Sequence, residues 1–169
     1  RKGEKKHPNK LALYWTLGAA IVSFVGAGLL GFAHTLPQTN LYTHGTLVTA
    51  MHGHLAFWGA YGMIVLAIIS YSLPNMTGRK LYDSSRGRLA FWLSNIGMIG
   101  MTVAFGVAGV AQVYLERKFK MDFMEVQQEI SIHFVVLILC AALFATGIIY
   151  YIVDFYKHGK PTDEALEIK

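Results

Sequence analysis

Residues 41–59 read LYTHGTLVTAMHGHLAFWG and place two histidines, His52 and His54, in the middle of an apolar run. The chain has no Asp, Glu, Lys or Arg from Leu11 to Gly78. A polar side chain surrounded by hydrocarbon is costly unless a partner satisfies it, and ionisable residues in such places are functional candidates by default. The two imidazoles are therefore the first candidates for chemistry in this chain.

The spacing of the two histidines indicates what kind of partner each has. Each residue of an α-helix advances by about 100°, so side chains two positions apart point in nearly opposite directions. His52 and His54 therefore cannot hold one metal ion between them, as histidines four apart do in a zinc site. Each of them can hold a separate centre at nearly the same depth.

The two helix faces carry different side chains. Small residues lie one and two turns from the first histidine and predict that a flat macrocycle approaches closely: Gly45, Thr49, Ala56 and Gly59. Aromatic residues follow the second histidine and favour packing on another ring: Phe57, Trp58 and Tyr61. Haem fits both faces, because neutral imidazole is the usual axial ligand of haem iron. Spacing alone leaves proton relay and interhelical hydrogen bonding open as alternatives.

The composition is that of an integral membrane protein. The chain has 169 residues, of which 54% are hydrophobic, and its mean hydropathy is +0.40. Hydropathy predicts an all-α membrane domain, residues 11–157, with four transmembrane helices at about 11–33, 43–73, 89–114 and 130–153. A basic segment, 1–10, precedes it and a polar tail, 158–169, follows. A loop is expected at 34–42 and a helix stop at Pro74. Because the first residue is Arg1 rather than Met, we expect a piece of a longer polypeptide.

The distribution of positive charge predicts the orientation. Twelve Lys and Arg residues lie on one side of the predicted helices: 1, 2, 5, 6, 10, 79, 80, 86, 88, 157, 160 and 169. Only Arg117, Lys118 and Lys120 lie on the other side. The positive-inside rule then places both ends of this segment in the cytoplasm and the two histidines in the outer half of the bilayer. The net charge of +5 reflects this topology and is not interpreted as a nucleic-acid footprint.

Other side chains are assigned to packing. Aromatic residues near the ends of the predicted helices are expected in interfacial belts: Tyr14, Trp15, Trp92, Tyr114, Tyr150 and Tyr151. Four glycines of the third helix are expected to allow close helix contact: Gly97, Gly100, Gly106 and Gly109. Asn95 and Gln112 are expected to form hydrogen bonds between helices, and the lone Cys140 is expected to be an inert buried thiol.

Five segments of the chain resemble the large, haem-binding subunit of cytochrome c-dependent nitric oxide reductase, a member of the haem-copper oxidase superfamily. They are residues 34–38 (HTLPQ), 42–46 (YTHGT), 51–62 (MHGHLAFWGAYG), 69–74 (ISYSLP) and 89–97 (LAFWLSNIG). The paired-histidine helix is the most specific of them. The resemblance implies that the four helices are part of a larger haem-copper-oxidase-like bundle.

The resemblance also implies the site and the reaction. His52 would be the axial ligand of a high-spin haem b, His54 an axial ligand of a low-spin haem b, and Thr35 a residue of the catalytic pocket. Two molecules of the substrate nitric oxide would be reduced to nitrous oxide and water in a bacterial inner membrane, with electrons from a membrane-anchored cytochrome c subunit. The ligands of the non-haem iron, and the second axial histidine of the low-spin haem, belong to the remaining helices of the catalytic subunit. This segment alone would therefore be inactive.

Two kinds of alternative remain. The nearer one is an oxygen-reducing haem-copper oxidase or a quinol-dependent nitric oxide reductase, which differ from the cytochrome c-dependent enzyme in the second metal site or the electron donor. The farther one is a haem-free transporter or proton channel in which His52 and His54 relay protons.

Overall fold

A computed structural model describes residues 9–76 and 84–158. All regular elements in these residues are helical, and four helices are long and apolar enough to cross a membrane. We name them span 1, Lys10–Thr35; span 2, Leu47–Pro74; span 3, Ser85–Lys118; and span 4, Ser131–Lys157. The predicted all-α, four-helix membrane fold is confirmed. Nearly all of the predicted basic segment and tail lies outside the described residues, as do Arg79 and Lys80.

π-helical segments interrupt spans 1, 2 and 3. Span 1 consists of an α-helix, Lys10–Ser23, a π-helix, Phe24–Leu30, and a last α-helical turn, Gly31–Thr35. Span 2 consists of Leu47–Phe57, the π-helix Trp58–Met63 and Ile64–Met76. Span 3 is α-helical over Ser85–Val113 and π-helical over Tyr114–Lys118. Within α-helices, π turns often mark functional sites.

The connection between spans 1 and 2 differs from the predicted loop. A short helix, Pro37–Thr43, occupies it and begins with proline in the first turn, where the missing N–H costs nothing. Gly45 then has φ of +74°, a left-handed conformation that ends the helical path. The Thr46 hydroxyl accepts a hydrogen bond from the backbone N–H of Val48 at 3.3 Å. The predicted start of the second helix at residue 43 is therefore wrong, since this cap starts the span at Leu47.

Pro74 does not stop the helix, which continues to Met76. A proline inside a helix leaves the carbonyl four residues earlier without its usual N–H donor. That carbonyl belongs to Ser70, and the side-chain amide of Asn9 donates to it at 2.7 Å. Asn9, which precedes span 1, thus supplies the hydrogen-bond donor that Pro74 lacks. The prediction that a proline ends a helix considers only neighbouring residues and does not include such a distant donor.

One buried tryptophan joins all four spans. Trp15 of span 1 has no exposed surface, and its ring makes edge-to-face contacts with Trp58 of span 2, Phe91 of span 3 and Tyr151 of span 4. The ring centroids are 6.1, 5.1 and 5.7 Å from it, respectively. The prediction of an interfacial belt is therefore wrong for Trp15 and Tyr151, because both rings face the inside of the bundle. Tyr14, Trp92, Tyr114 and Tyr150 are exposed.

The glycines of span 3 allow close helix packing, as predicted. A Cβ at Gly97 would lie 2.5 Å from the backbone nitrogen of Phe144 in span 4. About three turns further along the helix, a Cβ at Gly109 would collide with the backbone of Val48 in span 2. Span 3 therefore packs against both neighbours at distances that only small residues permit.

Candidate functional site

His52 and His54 contact different neighbouring spans. The Nδ1 atom of His52 lies 2.9 Å from the carbonyl oxygen of Gly26 in span 1. The ring of His54 lies against span 3, with its centroid 4.8 Å from that of Phe105. The expectation that the two imidazoles face away from each other is confirmed. They are positioned to serve two centres on either side of one helix.

Both imidazoles are held in the same tautomer. A carbonyl oxygen only accepts hydrogen bonds, so the Nδ1 of His52 must carry the proton that it donates to Gly26. The Nδ1 of His54 likewise donates to the carbonyl of Ala50, at 2.8 Å. In each neutral ring the lone pair then resides on Nε2. Backbone hydrogen bonds of this kind are the usual way in which proteins orient a metal-binding histidine.

A large apolar cavity opens beside His54. Its volume is about 880 Å³, which lies within the usual range for small-molecule and cofactor sites. The predicted aromatic surround, Phe57, Trp58 and Tyr61, forms part of its wall. Spans 3 and 4 contribute Met98, Phe144 and Ile148, which sequence spacing did not indicate. The cavity therefore lies between three spans, and the imidazole of His54 forms part of its lining.

The wall of this cavity is fixed by a hydrogen bond between spans 2 and 3. The indole N–H of Trp58 donates to the side-chain oxygen of Asn95 at 3.1 Å, and both residues are buried. The same indole meets Phe144 edge to face, with centroids 4.9 Å apart. The predicted interhelical role of Asn95 is confirmed. Gln112 also bonds between helices as predicted, because its side-chain oxygen accepts from the backbone N–H of Leu47 at 2.9 Å.

The small residues beside His52 serve helix packing rather than an open face. A Cβ at Gly26 would lie 2.7 Å from the backbone nitrogen of Ala56, and one at Gly59 would lie 2.5 Å from that of Ser23. Span 1 therefore covers the strip of span 2 where a macrocycle was expected to approach. The half-buried ring of His52 is supported by span 1 through Gly26, so a centre at this site must lie on the ring's remaining side.

Near the end of span 1, His34 packs on the site and Thr35 points elsewhere. The rings of His34 and His52 are stacked, with centroids 5.0 Å apart and planes inclined by 24°. Thr35 is exposed, and its hydroxyl donates to the carbonyl of Phe32 in its own helix at 2.7 Å. In the predicted topology His34 belongs to the loop at 34–42, and helical spacing does not indicate its contact with His52. The one available signal was a further histidine in the charge-free run.

The described residues offer single imidazoles, and not a cluster of ligands, for metal coordination. Among residues 9–76 and 84–158, no three His, Cys, Asp or Glu side chains come close enough to hold a metal ion together. The arrangement instead fits two flat metal complexes that each take one axial nitrogen from span 2. At His54 an apolar cavity adjoins the ring, whereas His52 offers an oriented nitrogen with support from one side.

The fold and the site define a class of protein: an integral membrane helix bundle in which one span carries two histidines that contact different neighbouring spans. Residues 2–143 match the family model of cytochrome c and quinol oxidase polypeptide I. The chain therefore belongs to this family and is a multi-pass membrane protein.

Two curated relatives narrow the comparison. The chain is 39% identical over 164 residues to a nitric oxide reductase subunit of Stutzerimonas stutzeri, a match that covers 92% of the chain and 35% of that protein. It is 30% identical over 86 residues to cytochrome c oxidase subunit 1 of Corynebacterium diphtheriae, covering 51% of the chain and 15% of the relative. The chain thus spans about a third of the length of the first relative.

Proposed function

We propose that the chain is part of the catalytic subunit of a respiratory nitric oxide reductase, an oxidoreductase that converts two molecules of nitric oxide to nitrous oxide and water. His52 is the axial ligand of a high-spin haem b, and His54 is an axial ligand of a low-spin haem b. The observation that carries the proposal is a pair of imidazoles on different faces of span 2, each bonded to a carbonyl at Nδ1, with one ring beside a cavity of about 880 Å³. The match to the nitric oxide reductase of Stutzerimonas stutzeri favours this reaction.

In this proposal the residues of this chain bind the haem groups, orient the coordinating imidazoles and line the cavity. His54 coordinates through Nε2, and its bond to the carbonyl of Ala50 keeps the ring in the coordinating tautomer. Trp58 and Phe144 form part of the apolar wall, which gives a bound redox group surroundings of lower dielectric on that side. When bound, haem supplies the one-electron chemistry that these side chains lack. His52 would coordinate through Nε2 while the carbonyl of Gly26 in span 1 holds Nδ1.

The remaining parts of the site come from outside the chain. In this proposal the non-haem iron and the second axial ligand of the low-spin haem are held by other helices of the catalytic subunit. Electrons arrive from a membrane-anchored cytochrome c subunit. Both ends of the segment lie on the cytoplasmic side of a bacterial inner membrane, so the two histidines lie in its outer half. Thr35 remains a candidate for the catalytic pocket, although its hydroxyl is bonded within its own helix.

Oxygen reduction is the second candidate, because the family includes cytochrome c and quinol oxidases and one relative is a cytochrome c oxidase subunit. The axial histidines would serve both reactions equally. The second metal distinguishes them: iron favours the nitric oxide reductase and copper favours the oxidase. A quinol-dependent nitric oxide reductase would differ from the proposed enzyme in its electron donor. A haem-free transporter or proton channel would show no b-type haem bands in its absorption spectrum.

Absorption spectra of the intact complex test the assignment of the two ligands. We expect His54→Ala to remove the low-spin haem bands and to leave much of the high-spin signal, and His52→Ala to do the reverse. The matched control is His44→Ala, since His44 is exposed at the start of the same region. Loss of both haems in each single variant, with normal spectra in the control, would show that these histidines support folding rather than separate centres.

A further inference from the structure

His34 is held rigidly against the ring of His52. Its Nδ1 donates to the carbonyl of Leu30, one turn earlier in span 1, at 2.8 Å. Its ring is stacked on that of His52, with centroids 5.0 Å apart and an interplanar angle of 24°. The hydrogen bond to Leu30 fixes the His34 side chain on span 1. The stacking contact then restrains the ring of His52 in span 2.

The hydrogen bond to Gly26 does not fix the orientation of the His52 ring by itself. A bond at Nδ1 restrains one point on the imidazole and leaves the ring free to tilt about that point. Gly31 restricts one edge, since a Cβ there would lie 3.3 Å from Cε1 of His52. The face of the ring is restrained by His34, which is the flat neighbour that the structure places against it.

A role as simple hydrophobic filler does not account for a histidine at position 34. The Nε2 atom of His34 is buried and has no hydrogen-bond partner among the described residues. An unsatisfied buried polar atom is destabilising, and an apolar ring of similar shape would avoid that penalty. An anchoring role does account for it, because only a ring with an N–H group can both stack on His52 and donate to Leu30.

We propose that His34 is a positioning residue for His52: its anchored, stacked ring sets the plane in which the His52 imidazole meets a bound high-spin haem. This inference rests on the proposed function of His52. The plane of an axial imidazole and the hydrogen bond at its Nδ1 together determine the strength of the iron–nitrogen bond. His34 therefore acts on the iron through His52 and without contacting the substrate.

The test is the iron–imidazole stretching band of the high-spin haem, measured by resonance Raman spectroscopy on the reduced, intact complex. We expect His34→Ala to shift and broaden this band, because the His52 ring then samples a range of tilts. His34→Phe keeps a flat ring but loses the N–H anchor, so its band should fall between those of His34→Ala and the unsubstituted complex. His44→Ala is the matched control, and the low-spin haem bands should be unchanged in all variants.

Two results would overturn the proposal: an unchanged band in His34→Ala, or a change in His34→Phe as large as that in His34→Ala. If the His34→Ala complex does not assemble, the test depends on His34→Phe alone. An iron–imidazole band in His34→Phe that is identical to that of the unsubstituted complex would then overturn the proposal, because it would show that the N–H anchor is irrelevant. Absence of both haems from the unsubstituted complex would instead refute the proposed function, which separates the two failures.

Discussion

The close contact between spans 1 and 2 makes Gly26→Ala a sharp test of the His52 site. A methyl group at this position would lie 2.7 Å from both the backbone nitrogen of Ala56 and the backbone carbon of Leu55. Neither of these is the flexible end of a side chain, so rotamer changes cannot relieve the overlap. The two spans must move apart at the point where Gly26 also accepts the hydrogen bond of His52.

The size of the effect follows from the geometry. Reaching ordinary contact distance requires a displacement of about 0.7 Å, which would lengthen the 2.9 Å bond between His52 and Gly26 to about 3.6 Å, too long for a hydrogen bond. Overpacking of this kind costs about 1–3 kcal/mol, and the lost bond about 0.5–1.5 kcal/mol. We therefore expect a loss of about 1.5–4.5 kcal/mol of stability and a selective loss of the high-spin haem.

The assay compares thermal denaturation and haem content of the intact complex in detergent for two neighbouring glycine variants. Gly28→Ala is the control, because its Cβ would lie 3.8 Å from the ring of Phe24, an ordinary contact, in the same π-helical segment. Gly26→Ala should be much less stable than Gly28→Ala and should lose high-spin haem. Equal stability and equal haem content in the two variants would refute the packing of span 1 against the backbone of Ala56.

Two further substitutions test the hydrogen bonds between helices. Asn95→Leu leaves the buried indole N–H of Trp58 without its acceptor and should destabilise the complex by about 1–3 kcal/mol, measured by thermal denaturation. Thr146→Val, at an exposed position whose hydroxyl bonds only within its own helix, should change stability little, and an equal loss there would contradict the assignment. Gln112→Leu removes the acceptor of the first N–H of span 2, at Leu47, and should cost about 1 kcal/mol, as loss of a helix cap does. Hydrogen exchange at the start of span 2 should rise in this variant, and unchanged exchange would show that Thr46 is sufficient as a cap.

Hydropathy and helical periodicity predict the features of this chain that depend on local sequence. The four spans follow from apolar runs without charge, and the opposite directions of His52 and His54 follow from a spacing of two residues. Asn95 and Gln112 are recognisable because an amide in hydrocarbon requires a partner. In each case the physical reason acts within one helix and does not depend on which helix lies next to it.

The contacts that sequence does not reveal are those between distant residues. The small side chains of Ala56 and Gly59 would allow either a macrocycle or another helix to approach span 2. Only the tertiary structure shows that span 1 packs against them. The same is true of Pro74, whose effect depends on Asn9, and of His34, whose neighbour is 18 residues away in sequence. Periodicity predicts which side chains share a helix face and leaves the identity of the neighbouring helix undetermined.

The two faces of span 2 therefore meet different physical demands. On the side of His52, glycine brings two backbones into contact, and the carbonyl of Gly26 is close enough to hold Nδ1. On the side of His54, large side chains such as Trp58 and Phe144 keep the spans apart and leave a cavity beside the ring. The position of a histidine held by a neighbouring backbone depends on that neighbouring span, whereas a histidine bonded only to its own helix moves with that helix. The geometry at His52 should consequently be more sensitive to substitutions in span 1 than the geometry at His54.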